Sequence, residues 1–280
     1  MTNKILKIAL VGRTNAGKST LINKIVGEKI SIQNKKINTT QVTIMGVKNI
    51  KKTQLIFYDT PGSNFLKSLN RQSKNLKMNL WSGIDESDLI VYLIDSKTAN
   101  VKFLFEQLKK LQEIKKKIII IFNKIDLISN KKILPLINQL DKNFKIEDFF
   151  IISAIKNLGI NDFLDHIKKF SYPSKWIFKE DEITNKNDSF IIEELLRETI
   201  LTYLHKEIPY NVIIKTTNFK TLKNHDIKIK QKIIIKESRY KKIIIGQKGE
   251  MIKKIREDSQ KKISQILNAN IHLYLEVINV

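Results

Sequence analysis

One eight-residue pattern constrains the fold of this chain more than anything else in its 280 residues. Gly12 to Ser19 reads GRTNAGKS and fits G-x-x-x-x-G-K-[ST]. An apolar run at residues 8–11 precedes it and suits a buried strand. In residues 18–25, which follow, Leu21, Ile22 and Ile25 recur at helical spacing. Strand, glycine loop and helix in that order are what the pattern needs to cradle phosphate. Gly12 and Gly17 let the backbone turn its N–H groups inward on a triphosphate, with Arg13, Thr14, Asn15 and Ala16 as the loop between them and Thr20 just beyond. The helix N-terminus adds partial positive charge. Lys18 is placed to reach the β- and γ-phosphates, and Ser19 to hold Mg²⁺.

Downstream segments fit the same chemistry. Residues 29–42 are polar and without period, as in a loop, and contain Thr40, which can complete an Mg²⁺ shell when a γ-phosphate is present. Residues 53–58 read as a strand running into Asp59-Thr60-Pro61-Gly62, where Asp59 reaches the metal through water and the Gly62 N–H meets the γ-phosphate. Further strands are expected at 89–94, 117–122 and 149–152, with an amphipathic helix at 101–115 carrying Phe103, Leu104, Leu108 and Leu111.

The strand at 117–122 delivers Asn123-Lys124-Ile125-Asp126 at its carboxyl end, where open α/β sheets bind ligands. A buried Asp126 carboxylate accepts from the N1 and N2 donors of guanine, a pair that adenine lacks, so it selects GTP or GDP. Asn123 is expected to tie this turn to the phosphate loop, and the Lys124 stem to lie along the base. After the strand at 149–152 come Ser153, Ala154, Ile155 and Lys156, with the Ala154 N–H expected at guanine O6.

Residues 171–188 read as a linker, and a second domain begins beyond it. A helix at 190–208 precedes strands at 212–217 and 227–237. Two helices then flank Gly246-Gln247-Lys248-Gly249, the second running to about residue 267, and a strand at 271–277 follows. A glycine pair lets a nucleic-acid backbone approach closely, and Ile245 and Ile252 beside it would form an apolar groove for unstacked bases. Residues 220–262, which include Lys253, hold fifteen Lys or Arg against five Asp or Glu, whereas residues 176–219 hold five against eight. The basic excess therefore sits in the half with the turn, where it suits either RNA or a solvated charged face.

The segments GRTNAGKST, NTTQVTIMG, DTPG, NKID and SAIK, followed by a helix, strand and G-x-x-G order similar to a type II KH domain, resemble the Era family of ribosome-associated GTPases over essentially the whole chain. The resemblance implies an α/β phosphate-loop GTPase domain with a mixed, mostly parallel sheet at residues 1–175. A linker at 176–189 and an α+β type II KH domain at 190–280 would follow. It also implies Thr40 as the switch threonine, and Asn15 as a residue that helps hold K⁺. Mg²⁺-dependent GTP hydrolysis would be joined to binding of small-subunit ribosomal RNA near its 3′ end, with a role in assembly of the 30S-type subunit. The chain would be a cytoplasmic monomer with loose contact at the inner face of the membrane. Ser63 follows Gly62 where Ras-like proteins carry glutamine, so turnover is expected to be slow without a partner. A reading in which GTP is only a ligand switch for the KH domain stays open at this point. The family usually continues past the last KH strand with a few basic or aromatic residues, whereas this sequence stops at Val280.

Composition bounds the partners. A formal charge of +23 favours an anionic partner, although a chain this rich in Lys, Ile and Asn can also owe that bias to AT-rich codons. The absence of Cys excludes disulfides and thiolate metal sites and fits a reducing cytosol. The apolar runs are too short to span a bilayer, and the first ten residues hold no signal-peptide core.

Overall fold

The computed structural model describes residues 2–28, 30, 44–62, 78, 80–129, 133–204 and 212–279. They form two compact units that divide between Asn185 and Lys186.

The first unit is a sheet of β1 (Lys4–Gly12), β2 (Ile44–Ile50), β3 (Thr53–Asp59), β4 (Leu89–Asp95), β5 (Lys117–Asn123), β6 (Asp148–Ile151) and the short β7 (Tyr172–Pro173). The order is β2-β3-β1-β4-β5-β6, with β7 antiparallel to the start of β1. β2 runs antiparallel to β3, and the other pairings along that order are parallel. Central strands of such a sheet are covered on both faces, so they read as unbroken apolar runs rather than alternating ones. Every residue of β3 is buried, as are six of the seven in β4 and in β5.

Helices α1 (Lys18–Val26), α2 (Val101–Gln112), α3 (Leu134–Asn143) and α4 (Ile160–Ile167) connect the strands. The side chain of Asn100 caps α2 by accepting from the Phe103 N–H at 3.0 Å. Two of these helices went unassigned in the sequence although they carry its ordinary signals. Pro135 sits in the first turn of α3, and Ile160, Phe163, Leu164 and Ile167 bury one face of α4. Strand β2 also went unassigned, lying just beyond the expected loop.

Residues 176–185, expected as part of a linker, lie along the sheet edge. The Gln54 side chain, fully buried, accepts from the N–H groups of Ile177 and Phe178 at 3.0 Å and donates to the Phe178 carbonyl at 3.0 Å. Asn49 Nδ2 donates to the Glu180 carbonyl at 3.0 Å, the Val47 N–H to the Ile183 carbonyl at 2.8 Å, and the Met45 N–H to Asn185 Oδ1 at 3.0 Å. An edge strand leaves backbone groups unpaired, and this segment satisfies several of them on β2.

The second unit opens with α5 (Asp188–Tyr203), capped by the Asn187 side chain, which accepts from the Phe190 N–H at 2.9 Å. The expected end of that helix, residues 205–208, lies outside the described residues. Strands β8 (Val212–Thr221), β9 (Ile227–Ile235) and β10 (Ile271–Asn279) form a sheet in the order β10-β9-β8, with β10 parallel and β8 antiparallel to β9. Helices α6 (Ser238–Ile245) and α7 (Glu250–Leu267) flank the glycine turn. The inward residues Ile229, Ile233, Ile235, Ile271 and Leu273 pack under α5, α6 and α7 through Leu195, Leu196, Ile244, Ile255 and Ile263. One face of the sheet is thus helical. The other is bare.

Candidate nucleotide site and glycine turn

β1 leads into the phosphate loop at Gly12, whose φ of +154° puts its missing Cβ 2.4 Å from the Leu93 carbonyl oxygen. No side chain fits there, because β4 runs alongside. Lys18, at the start of α1, turns its Nζ back to donate to the carbonyls of Gly12 at 3.0 Å and Arg13 at 3.1 Å. Burial lowers its ammonium from 10.5 to about 8, against the opposing pull of the Asp59 carboxylate. A polyphosphate brought into the loop would act in the same direction as Asp59 and keep the amine charged.

Ser19 Oγ donates to Asp59 Oδ2 at 2.8 Å, joining the start of α1 to the end of β3. A hydroxyl beside a fully buried carboxylate is a hard oxygen donor set of the kind Mg²⁺ takes. Among the described residues no group of three or more His, Cys, Asp and Glu could hold a metal, so a cation here would draw its other ligands from phosphate and water. Thr60, also fully buried, anchors the next turn by donating to the Leu10 carbonyl at 2.6 Å. Pro61 and Gly62 are buried beside it, and a Cβ on Gly62 would stand 2.7 Å from the Thr14 nitrogen. The turn is therefore pressed against the phosphate loop. Thr40 and Ser63 lie outside the described residues.

Asn123 is the joint of the site. Its Nδ2 donates to the Ala16 carbonyl at 2.9 Å, and its Oδ1 accepts from the N–H groups of Lys124 at 2.8 Å and Ala154 at 3.0 Å. One buried amide thus links the phosphate loop, the NKID turn and the segment after β6. The missing Cβ of Gly17 would fall 2.2 Å from Asn123 Nδ2, so this glycine, at φ +100°, is dictated by the asparagine across from it. Asn15 and Lys124 both adopt the left-handed region, with φ of 65° and 67°. Lys124 Nζ donates to the Asn15 carbonyl at 2.6 Å and pairs with Asp95 Oδ2 at 2.7 Å. Asp95 was not singled out from sequence. Its place at the end of β4, in register with Asn123, was the available signal.

Two groups expected at the base have protein partners in the structure. Asp126 is exposed rather than buried, and its Oδ1 accepts from Ser153 Oγ at 2.5 Å. The nucleotide base itself would have to cover this carboxylate before an unmatched donor pattern became costly. The Ala154 N–H, expected at O6, donates to Asn123. Lys156 is exposed and its N–H donates to Ser153 Oγ at 3.2 Å, while Ile125 is half-buried behind the turn. Arg13 leaves the loop and stacks its guanidinium 4.8 Å from the Phe103 ring centre, and Thr20 is half-buried on α1.

In the second unit Gly246 takes φ 74° and Gly249 φ 83°, with Lys248 also left-handed at φ 47°. A Cβ on Gly249 would meet open space, so this face of the turn is free for a close approach. Gln247 and Lys248 are exposed, as is Lys253. Lys241, Lys242, Ile245, Gly246 and Gln247 line a concavity of about 490 Å³. Ile252 packs against the core around Ile244 and Ile255 rather than lining that concavity with Ile245.

Comparison with known proteins matches this division. The family described as 50S ribosome-binding GTPase matches residues 7–124, and the KH domain family matches residues 202–280. The chain is 33% identical to the GTPase Era of Agrobacterium fabrum, over 96% of its own length and 84% of the relative's. It is 34% identical to that of Rickettsia conorii, over 98% and 80%. Among solved structures, Era in complex with MgGDPNP and nucleotides 1506–1542 of 16S ribosomal RNA superposes with a TM-score of 0.91 at 30% identity, covering 99% of this chain and 94% of that one. An Aquifex aeolicus Era variant bound to GDP·AlF₄⁻ gives 0.90 at 29% identity, covering 100% and 94%.

Proposed function

Because this chain belongs to the Era family of GTPases, we propose that its first unit hydrolyses GTP at the Asn123-centred site while its second unit holds small-subunit ribosomal RNA near the 3′ end, in the service of subunit assembly. The observation that carries the reading is the Asn123 side chain, which bonds three segments far apart in sequence into one nucleotide cradle. In this scheme Gly12 to Thr20 wrap the phosphates, Asp59 to Gly62 with Ser63 face the γ-phosphate, and Asn123 to Asp126 with Ser153, Ala154 and Lys156 hold guanine. Water attacks the γ-phosphorus, the bond to the β-phosphate oxygen breaks, and GDP and phosphate leave.

The protein's own contribution is positioning. Lys18 brings a buried positive charge to the phosphates, and the Gly62 backbone donates to the γ-phosphate. Ser19 and Asp59, with Thr40, would hold Mg²⁺, which when bound supplies positive charge to the β- and γ-phosphate oxygens. Ser19 would first give up its bond to Asp59. Asn15 would help hold K⁺. The RNA assignment is supported by the solved Era complex with a 16S fragment and by the open turn at Gly249. Ile245, Gly246, Gln247, Lys248, Gly249, Ile252 and Lys253 form that proposed site. The same family reading makes the chain a cytoplasmic monomer that touches the membrane only peripherally. No described helix is long and apolar enough to cross a membrane.

Base choice tests the nucleotide half. Asp126→Asn exchanges an acceptor for a donor, so GTP should weaken by two orders of magnitude or more while xanthosine triphosphate, with a 2-oxo group, gains. Competition binding of GTP, ATP and XTP reads it, and an unchanged preference for GTP would refute the placement of the base.

A further inference from the structure

The bare face of the second unit's sheet has a composition that a solvated surface does not require. Inward residues alternate along β9, leaving Lys228, Lys230, Lys232 and Ile234 outward. Register carries the same face across the sheet. His272, Lys228 and Lys220 form one row, Tyr274, Lys230 and Asn218 the next, Glu276, Lys232 and Lys215 a third, and Ile278, Ile234 and Ile213 the last. The irregularity between Thr216 and Asn218 keeps Lys220 and Lys215 on the same side although their sequence offset is odd.

Five lysines thus stand on a surface three strands wide, against Glu276 and, at the end of the first row, Asp226, which pairs with His272 at 2.8 Å. Lys215 opposes Lys232, and Lys220 opposes Lys228, although like charges directly across strands repel. Among the described residues Glu276 pairs with Lys232 alone of the five, at 3.8 Å. Tyr274 is half exposed, with Lys228 Nζ 5.2 Å from its ring centre. The lysines of β9 recur every second residue, about 6.6 Å apart, which is comparable to neighbouring phosphates of an extended strand. A sheet face offering an exposed aromatic ring among cations is how single strands are held by stacking and phosphate contact together. The glycine turn lies elsewhere, in the helical layer built on Tyr240 and Ile244 packed against Ile233 and Ile235.

We propose that this open face, centred on Lys228, Lys230, Lys232 and Tyr274, is a second contact surface for single-stranded RNA, separate from the glycine turn. The inference rests on the reading of this unit as RNA-binding. Charge complementarity selects a polyanion. The half-exposed ring, with Lys228 against it and Lys230 opposite it in register, suits a nucleobase better than a lipid interior.

The test uses the full-length protein and a labelled RNA spanning the thirty-seven nucleotides of the 16S 3′ end. One variant is Lys228→Thr with Lys230→Thr and Lys232→Thr, which keeps strand propensity and removes charge. A second is Tyr274→Ala, which leaves charge unchanged. The third, Gln247→Asp with Lys248→Asp, probes the turn. The triple variant should bind at least tenfold more weakly, with its salt slope shallower by about 2 units, and Tyr274→Ala should weaken binding about tenfold. Ultraviolet crosslinking of the parent should mark the peptide holding Tyr274.

If the turn variant loses RNA while both sheet variants, folded by melting curve, bind as the parent does, the second surface is refuted and the RNA reading stands. If the parent itself fails to bind the RNA, both fall. Retention of RNA binding by the triple variant, with loss of its binding to vesicles containing phosphatidylglycerol, would make the face a membrane surface and also refute the proposal.

Discussion

Gly17 and Asn123 should be energetically coupled far beyond additivity, and the size of the coupling can be worked from contacts at the site. Alanine at position 17 places Cβ 2.2 Å from Asn123 Nδ2, so the amide must swing away. Doing so breaks its bonds to the Ala16 carbonyl and to the N–H groups of Lys124 and Ala154. At about 1 kcal/mol net per bond, that loss is about 3 kcal/mol. Holding alanine at φ +100° adds about 2 kcal/mol of backbone strain. Gly17→Ala should therefore cost about 5 kcal/mol, and Asn123→Ala, which deletes the same three bonds, about 3 kcal/mol. In the double variant no amide remains to be displaced, so the total stays near 5 rather than 8 kcal/mol, a coupling of about 3 kcal/mol or roughly a hundredfold in GDP affinity. The assay is displacement of fluorescent GDP at fixed Mg²⁺, with melting curves on all four proteins. Costs that add within about 0.5 kcal/mol would show that the two residues act independently and would refute the reasoning.

Three more outcomes are expected. Lys18 is lowered to about 8 in the folded, nucleotide-free protein and returns to 10.5 when unfolded, so between those pH values the unfolded chain binds the extra proton. Stability should then rise through that window by up to about 3 kcal/mol relative to Lys18→Met, and parallel pH profiles of urea unfolding for the two proteins would contradict this. Gln54→Ala removes the buried side chain that holds Ile177 and Phe178, so their amides should exchange at least tenfold faster. Unchanged exchange would mean the segment is held by its other contacts. Gly246→Ala should destabilise more than Gly249→Ala by about 1–3 kcal/mol, because its Cβ would stand 2.6 Å from Met251 Cβ whereas the Cβ at Gly249 meets nothing. Equal midpoints in urea would refute it.

The sequence by itself determined the fold class, the family and the order of the nucleotide motifs. Those depend on local chemistry, such as glycine where a loop must turn and apolar runs where a parallel strand is covered on both faces. The spacing of Gly12, Gly17, Lys18 and Ser19 is sufficient for a phosphate loop because one strand, one loop and one helix make it. Helices α3 and α4 carried local signals too, in Pro135 and in the spacing of Ile160, Phe163, Leu164 and Ile167, although both went unassigned.

Only the tertiary structure decided what those motifs touch. Register set Asp95 beside Asn123, and so gave Lys124 its partner. It also placed the Asp126 carboxylate at the surface, held the Ala154 N–H against Asn123, and laid residues 176–185 along the edge of β2. The alternation of Lys and Ile in β9 was visible in sequence, but Tyr274 comes from β10, far along the chain from the β8 and β9 pair that carries the lysines, and backbone pairing alone brings it into register with them. Local pattern specifies which face of an element is apolar. Which charged faces become neighbours depends on hydrogen bonding between distant segments, for which no window of sequence carries the information.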